Sequence, residues 1–102
     1  MTDKSQGNYL EKRFRTSDTV VSRKIADEFI LVPIQSKSGD LDFIYTLNEV
    51  GGRIWELIDG QNQLIDIRNK IIKEFEIGPD QADADIIEFL EQLEQIKAVN
   101  EV

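Results

Sequence analysis

The sequence predicts an α+β domain with a winged helix-turn-helix-like arrangement, in which a three-stranded antiparallel sheet is followed by three helices. In the first half, residues 20–26 and 41–47 alternate apolar and polar residues with the two-residue period of strands, and residues 29–34 between them read as a more apolar strand. In the second half, apolar residues recur at helical spacing in three longer segments. The halves meet in residues 41–60, LDFIYTLNEVGGRIWELIDG, where a strand leads through Asn48 directly into a helix. We expect the rest of the chain to pack around this corner.

The predicted sheet is a meander of residues 20–26, 29–34 and 41–47. Pro33 has no amide hydrogen for a sheet ladder, so it is expected to mark the end of the second strand. Residues 36–40, SKSGD, have the composition of a hairpin loop between the second and third strands.

The first predicted helix begins after Asn48, whose side chain suits an N-cap, and stops at Gly60. Asn62 is the candidate N-cap of a second helix over residues 63–75. The third and longest helix, residues 79–97, opens on a proline, which is favoured in a first turn. Its predicted buried stripe consists of Ala82, Ile86, Phe89, Leu90, Leu93 and Ile96.

The composition suits one soluble domain, since 40% of the 102 residues are hydrophobic and 31% are charged. Residues 1–18 are polar and lack periodicity, which predicts a disordered amino-terminal arm. Residues 19–99 form the predicted domain and residues 100–102 a tail. No apolar run is long enough to cross a bilayer and no secretory signal is present, so we expect a cytoplasmic protein.

The sequence contains neither cysteine nor histidine. Disulfides, thiol nucleophiles, imidazole acid–base chemistry and cysteine-based metal sites are therefore excluded. No spacing of Asp and Glu matches a calcium loop. We therefore expect a chain that is not an enzyme, with no catalytic residue, no metal and no cofactor.

The net charge of −8 is unevenly distributed along the chain. Residues 1–24 carry six basic residues against three acidic ones, whereas residues 74–102 carry nine acidic residues against one lysine. Because an acidic domain repels a phosphate backbone, this distribution argues against a nucleic-acid partner.

Two features of the first helix allow a structural and a functional interpretation. Gly51 and Gly52 each cost roughly 1 kcal/mol of helix propensity relative to alanine. They allow either close approach by a ligand or close packing of another element, and the packing interpretation is preferred. Trp55, beside Ile54, is interpreted as a core or core-edge residue rather than a docking residue.

The outer edge of the third predicted strand is the feature of the sequence that suggests a binding function. An edge strand is a template for another chain unless charge, proline or a covering element protects it. This one carries a single charge, Asp42, and an apolar residue, Ile44, on its polar face. A peptide added there would gain main-chain hydrogen bonds, and side-chain pockets would supply specificity. The alternative is that the third helix or a second copy of the chain covers the edge.

Three segments in this order and spacing carry a family resemblance: LNEVGGRIWELIDG, IDIRNKIIKEFEI and DADIIEFLEQLEQIKAV. Together they resemble the PqqD family over residues 20–99. Members of that family are small peptide chaperones, also described as precursor-peptide recognition elements of RiPP systems. The resemblance implies the same fold as the periodicity, a three-stranded antiparallel sheet with three helices.

The resemblance also implies a function and a site. Family members bind the leader segment of a ribosomally synthesised precursor peptide and hand it to a modifying enzyme, a radical-SAM protein in pyrroloquinoline quinone biosynthesis. Lasso-peptide and other maturation systems use similar stand-alone domains. The leader pairs with the third strand and lies against the third helix. Transferred by position, this implies a pairing edge of Asp42, Phe43, Ile44, Tyr45 and Thr46 and a facing wall of Asp83, Ile87, Leu90, Glu91 and Glu94.

Two other functions remain open. A winged-helix DNA-binding regulator would need a basic recognition helix, yet the second helix sets Arg68, Lys70 and Lys73 against Asp66 and Glu74. A structural homodimer could close the free edge by strand pairing. We expect a peptide and its modifying enzyme as partners, without nucleic acid or membrane.

Overall fold

A computed structural model of the chain describes residues 9–26, 28–33 and 45–102. The fold is α+β, as predicted, with three helices and two three-stranded antiparallel sheets in this part of the chain. In chain order the elements are β1 (Arg13–Thr16), β2 (Val20–Ile25), β3 (Glu28–Pro33), β4 (Tyr45–Leu47), α1 (Glu49–Leu57), β5 (Asp59–Gln63), α2 (Leu64–Phe75), α3 (Pro79–Gln95) and β6 (Val99–Glu101).

The first sheet is the predicted meander, with strand order β2-β3-β4. Val21 pairs with Val32 in the β2–β3 ladder, and Ile30 pairs with Thr46 in the β3–β4 ladder. Strand β3 ends at Pro33, as the missing amide hydrogen predicted. The predicted loop and the first part of the third strand, residues 34–44, lie outside the described residues.

The corner between β4 and α1 forms as the sequence predicts. The Asn48 side chain caps the helix, since its Oδ1 accepts a 2.8 Å hydrogen bond from the backbone amide of Gly51. Trp55 is 7% exposed in the core, which confirms its interpretation as a core residue. Ile58 ends α1, and Gly60 follows with a positive φ of 82°.

The prediction for the second N-cap is wrong. Asn62 lies in β5, where its side-chain Nδ2 donates to the carbonyl of Leu57 at 3.1 Å. Gln63 is the N-cap of α2 instead, and its backbone amide donates to Asp66 Oδ2 at 3.0 Å. Gln61 and Asn62, the polar pair before the helix, therefore belong to a strand. The local composition does not indicate this.

The second sheet, with strand order β5-β1-β6, is absent from the predicted architecture. Its central strand β1 lies within residues 1–18, so for residues 9–18 the structure differs from the predicted disordered arm. Phe14 is 1% exposed in the core, and β1 pairs with β5 on one side and β6 on the other. The predicted tail likewise contributes β6, and the amide of Val102 donates to the carbonyl of Arg13 at 2.9 Å.

The helices pack around one core between the two sheets. The buried positions of α3 are Ala82, Ile86, Leu90 and Leu93, while Phe89 and Ile96 are half-buried at its margin. Helices α2 and α3 are joined by an ion pair of 2.7 Å between Arg68 Nε and Asp83 Oδ1. In the described part of the chain no helix is long and apolar enough to cross a membrane.

Candidate functional site

Strand β4 forms one edge of its sheet. Among the described residues it pairs with β3 alone, so its other side presents main-chain groups that no described strand covers. Thr46 is exposed on this strand, whereas Leu47 is buried and fixes the strand to the core. Within the described part of the chain, residues 45–47 are therefore an edge strand that is paired on one side.

Two adjoining cavities lie along this edge, between β4, the start of α1, and α3. Their volumes are about 260 and 230 Å³. Four residues line both: Asn48, Gly51, Phe89 and Gln92. The larger cavity is completed by Val50, Ile54, Asp85 and Glu88, and the smaller by Tyr45, Thr46 and Leu47. We call the two cavities together the β4 groove.

The local sequence explains how the β4 groove is built. The Asn48 cap turns the chain from strand to helix within one residue, which places the first turn of α1 beside the strand edge. The α3 wall consists of Asp85, Glu88, Phe89 and Gln92, at the spacing i, i+3, i+4 and i+7 that puts side chains on one helical face. At the far end the Tyr45 hydroxyl donates to Gln92 Oε1 at 3.0 Å and joins β4 to α3.

The glycine pair of α1 lies at the base of the β4 groove and beside the sheet. A Cβ on Gly52 would lie 2.8 Å from Phe29 Cδ2, so β3 requires this glycine in order to pack against α1. Packing is thereby confirmed as the reason for Gly52. Gly51 has a different environment, because it lines both cavities. The atom nearest to a Cβ on Gly51 would be Asn48 Oδ1, at 3.2 Å.

The groove wall is acidic. Asp85 Oδ1 accepts a 2.9 Å hydrogen bond from Gln81 Nε2, which keeps the carboxylate on this face of α3. Glu88 is exposed. Neither takes part in the ion pairs found among the described residues, which join Lys12 to Glu101, Arg53 to Glu56 and Glu74, and Arg68 to Asp83. A bound group facing this wall would meet uncompensated negative charge.

The residues transferred by family resemblance fall in three places. Asp42, Phe43 and Ile44 lie outside the described residues, and Tyr45 and Thr46 line the groove. The five α3 residues of the implied wall line neither cavity: Leu90 is fully buried, Asp83 pairs with Arg68, Ile87 is half-buried, and Glu91 and Glu94 are exposed. These five residues therefore lie outside the groove that borders the described part of β4.

The implied wall lies on the opposite flank of α3. At 100° per residue, the mean direction of Asp83, Ile87 and Glu94 around the helix axis is about 170° from that of the groove-lining residues. Glu94 and Glu91 on that flank lie near Tyr9: burial, and then the negative charges of these two residues, raise the pKa of the Tyr9 phenol. The i, i+3, i+4, i+7 spacing of the groove-lining residues is visible in the sequence, but periodicity does not say which flank of the helix borders a strand.

Comparisons with known proteins give two matches. A sequence model for the family described as "Coenzyme PQQ synthesis protein D (PqqD)" matches residues 28–99. The chain is also similar to a solved structure described as "TbiB1 in Complex with the TbiA(beta) Leader Peptide", with a TM-score of 0.70 and 29% sequence identity. That match covers 84% of this chain and 94% of the other. No curated protein matches the chain.

Proposed function

The chain belongs to the PqqD family, and on that premise we propose that it binds the leader segment of a ribosomally synthesised precursor peptide and presents it to a modifying enzyme. The observation that carries the proposal is the open edge of β4 beside two cavities of about 260 and 230 Å³. The solved structure to which the chain is similar contains a leader peptide. The product is pyrroloquinoline quinone or another peptide-derived compound.

Binding proceeds by strand addition. An extended leader pairs its main chain with β4, and this pairing supplies affinity that does not depend on sequence. Alternate side chains of an added strand point to opposite faces, so every second leader residue is directed into the β4 groove. The groove residues Val50, Ile54 and Phe89 offer apolar contact there, and Asn48 and Gln92 offer hydrogen bonds.

Charge adds a preference to this pairing. Asp85 and Glu88 face the groove without a described cationic partner, and the net charge of the chain is −8. A leader with lysine or arginine near the groove is attracted, and an acidic leader is repelled. The same charge disfavours DNA. On α2, the proposed recognition helix of the DNA-binding alternative, Arg68 is already paired with Asp83.

The role is binding rather than catalysis. The chain has no histidine or cysteine to act as base or nucleophile, and strand addition needs neither a metal nor a cofactor. The chemistry belongs to the enzyme that receives the leader, a radical-SAM protein or another peptide-modifying enzyme. This chain contributes affinity, orientation and local concentration of the substrate.

Amide chemical shifts test the proposal. Isotope-labelled protein is titrated with synthetic leaders, beginning with the TbiA(beta) leader peptide, and with a scrambled peptide of the same composition as the control. We expect the leader to shift amides at Tyr45 to Gly51 and Asp85 to Gln92 more than the scrambled peptide does. Shifts confined to other surfaces, or none with millimolar leader, would contradict the groove assignment.

A further inference from the structure

The two carboxamide side chains that line the β4 groove use their oxygen atoms inside the protein. Asn48 Oδ1 accepts a 2.8 Å hydrogen bond from the backbone amide of Gly51. Because that amide can only donate, the Asn48 atom that it meets is the oxygen and not the nitrogen. Gln92 Oε1 accepts a 3.0 Å hydrogen bond from the Tyr45 hydroxyl. The oxygen of each carboxamide is therefore engaged before a peptide binds.

The nitrogen atoms of the same two side chains are not engaged in this way. Neither Asn48 Nδ2 nor Gln92 Nε2 donates a hydrogen bond to any residue that the structure describes. Both residues are exposed to solvent and line both cavities of the groove. Each amino group carries two N–H donors and no acceptor. The groove thus offers hydrogen-bond donors on two sides, at the N-cap of α1 and on α3.

A peptide strand that pairs with β4 would displace solvent from these donors. A donor that loses water without gaining an acceptor costs more free energy than a net hydrogen bond contributes, so a side chain over the donors binds well only if it accepts. A carboxylate is an acceptor, but Asp85 and Glu88 on the α3 wall repel a negative charge. The side chain that satisfies both conditions is an uncharged one with an acceptor oxygen.

We infer that Asn48 and Gln92 are specificity-determining residues, whose amino groups select an uncharged hydrogen-bond acceptor on the bound peptide, such as the carboxamide of asparagine or glutamine. This inference rests on the proposed function and adds the chemical class of a peptide residue that the groove takes. Main-chain pairing along β4 does not depend on the peptide side chains. The apolar groove residues Val50, Ile54 and Phe89 reward burial alone. The two amino groups add a polar requirement to both.

Two nearly isosteric variants remove the donors and keep the hydrogen bonds within the protein. In Asn48→Asp one carboxylate oxygen replaces Nδ2 and the other still accepts from Gly51, since aspartate caps a helix as well as asparagine does. In Gln92→Glu a carboxylate oxygen still accepts from the Tyr45 hydroxyl. Gln95→Glu is the matched control, because it adds the same charge at an exposed position of α3 that lines neither cavity.

The test uses peptides of defined sequence, Ac-Lys-Val-Ala-X-Ala-Val-Lys-NH2, with X as asparagine, leucine or aspartate. These three X side chains have nearly the same shape, and no other side chain of the peptide accepts a hydrogen bond. Dissociation constants come from the amide shifts of β4 and α3 in the native protein and in the three variants. Thermal melting should leave Asn48→Asp within about 2 °C of the native protein, because the cap is kept.

We expect the asparagine peptide to bind Asn48→Asp and Gln92→Glu about three- to tenfold more weakly than it binds the native protein. The leucine peptide should bind neither variant more weakly, because it makes no hydrogen bond to the lost donor and the added charge attracts its lysines. Gln95→Glu should weaken neither peptide. In low salt the aspartate peptide should bind the native protein at least about threefold more weakly than the asparagine peptide does.

Three results would overturn the inference. If the asparagine peptide binds both groove variants as tightly as the native protein, the amino groups are not used. If the groove variants weaken the leucine and asparagine peptides equally, the effect does not depend on the side chain X, so strand addition stands and the selection of an acceptor is refuted alone. If no peptide shifts β4 amides, the proposed function fails, and this inference fails with it.

Discussion

The hydroxyl of Tyr45 on β4 donates a 3.0 Å hydrogen bond to Oε1 of Gln92 on α3. Both residues line the smaller cavity of the β4 groove, so the bond sets the width of the groove at that end. Gly51 of α1 and Phe89 of α3 line both cavities beside this bond. An added strand would therefore meet a side-chain hydrogen bond at one end of the groove and residues of both helices along it.

The Tyr45–Gln92 bond should be measurable by a double-mutant cycle of Tyr45→Phe and Gln92→Ala. Tyr45 makes other interactions, and the cycle separates this pair from them. Because the bond is exposed, we expect a coupling free energy of about 0.5 kcal/mol in urea unfolding followed by Trp55 fluorescence. A coupling of zero within error would show that the bond does not hold the strand to the helix.

The features predicted correctly are those that depend on neighbours in sequence. Asn48 caps α1 because its side chain reaches an amide three residues on, and Pro33 ends β3 because it lacks an amide hydrogen. The choice of groove wall on α3 depends instead on how the helix is placed against β4. The buried stripe has two flanks of similar polarity, and the sequence does not indicate which of them meets the strand.

Strand β1 shows a second limit of local pattern. It has one buried residue, Phe14, between two exposed arginines, and a four-residue strand is too short to establish a period. Its partners come from β5 and β6, far along the chain. Asn62 is misassigned for the same reason, since it lies in β5, whose strand partner is β1.

Replacing Phe14 with alanine tests whether β1 belongs to the fold. The side chain is 1% exposed and its ring centroid lies 6.2 Å from that of Tyr9. We expect a loss of about 3–5 kcal/mol in the free energy of unfolding, from lost burial and the cavity left behind. The matched variant Arg15→Ala, at an exposed position of the same strand, should change it by about 0.5 kcal/mol or less. Equal urea midpoints for Phe14→Ala and the native protein would show that β1 is not required.

The ion pair between α1 and α2 predicts a pH dependence of stability. The hydrogen bond from Arg53 lowers the pKa of Glu74, with Arg53 Nε and Glu74 Oε1 2.9 Å apart. A carboxyl group whose pKa is lower in the folded state stabilises the protein above its unfolded pKa, and this contribution is lost as pH falls through the folded pKa. Glu74→Gln should therefore be less stable than the native protein at pH 7, and the difference should shrink at an acidic pH well below the usual glutamate pKa of about 4.3. Parallel thermal melts at both pH values measure this, and a difference that is unchanged at low pH would exclude the Arg53–Glu74 pair as its source.

Two charge-neutralising variants on α3 decide which flank of the helix faces the peptide. Glu88 lines the β4 groove, whereas Glu91 lies on the exposed surface outside it. With the peptide Ac-Lys-Thr-Thr-Leu-Thr-Thr-Lys-NH2, whose ends carry lysine, Glu88→Gln should weaken binding by about two- to fivefold in low salt, and 0.5 M salt should remove most of that loss. Glu91→Gln removes the same charge from the same helix at a greater distance, so its dissociation constant should change by less than about 1.5-fold. The reverse order of effects would place the leader on the flank of Glu91 and Glu94, the wall that family resemblance implied.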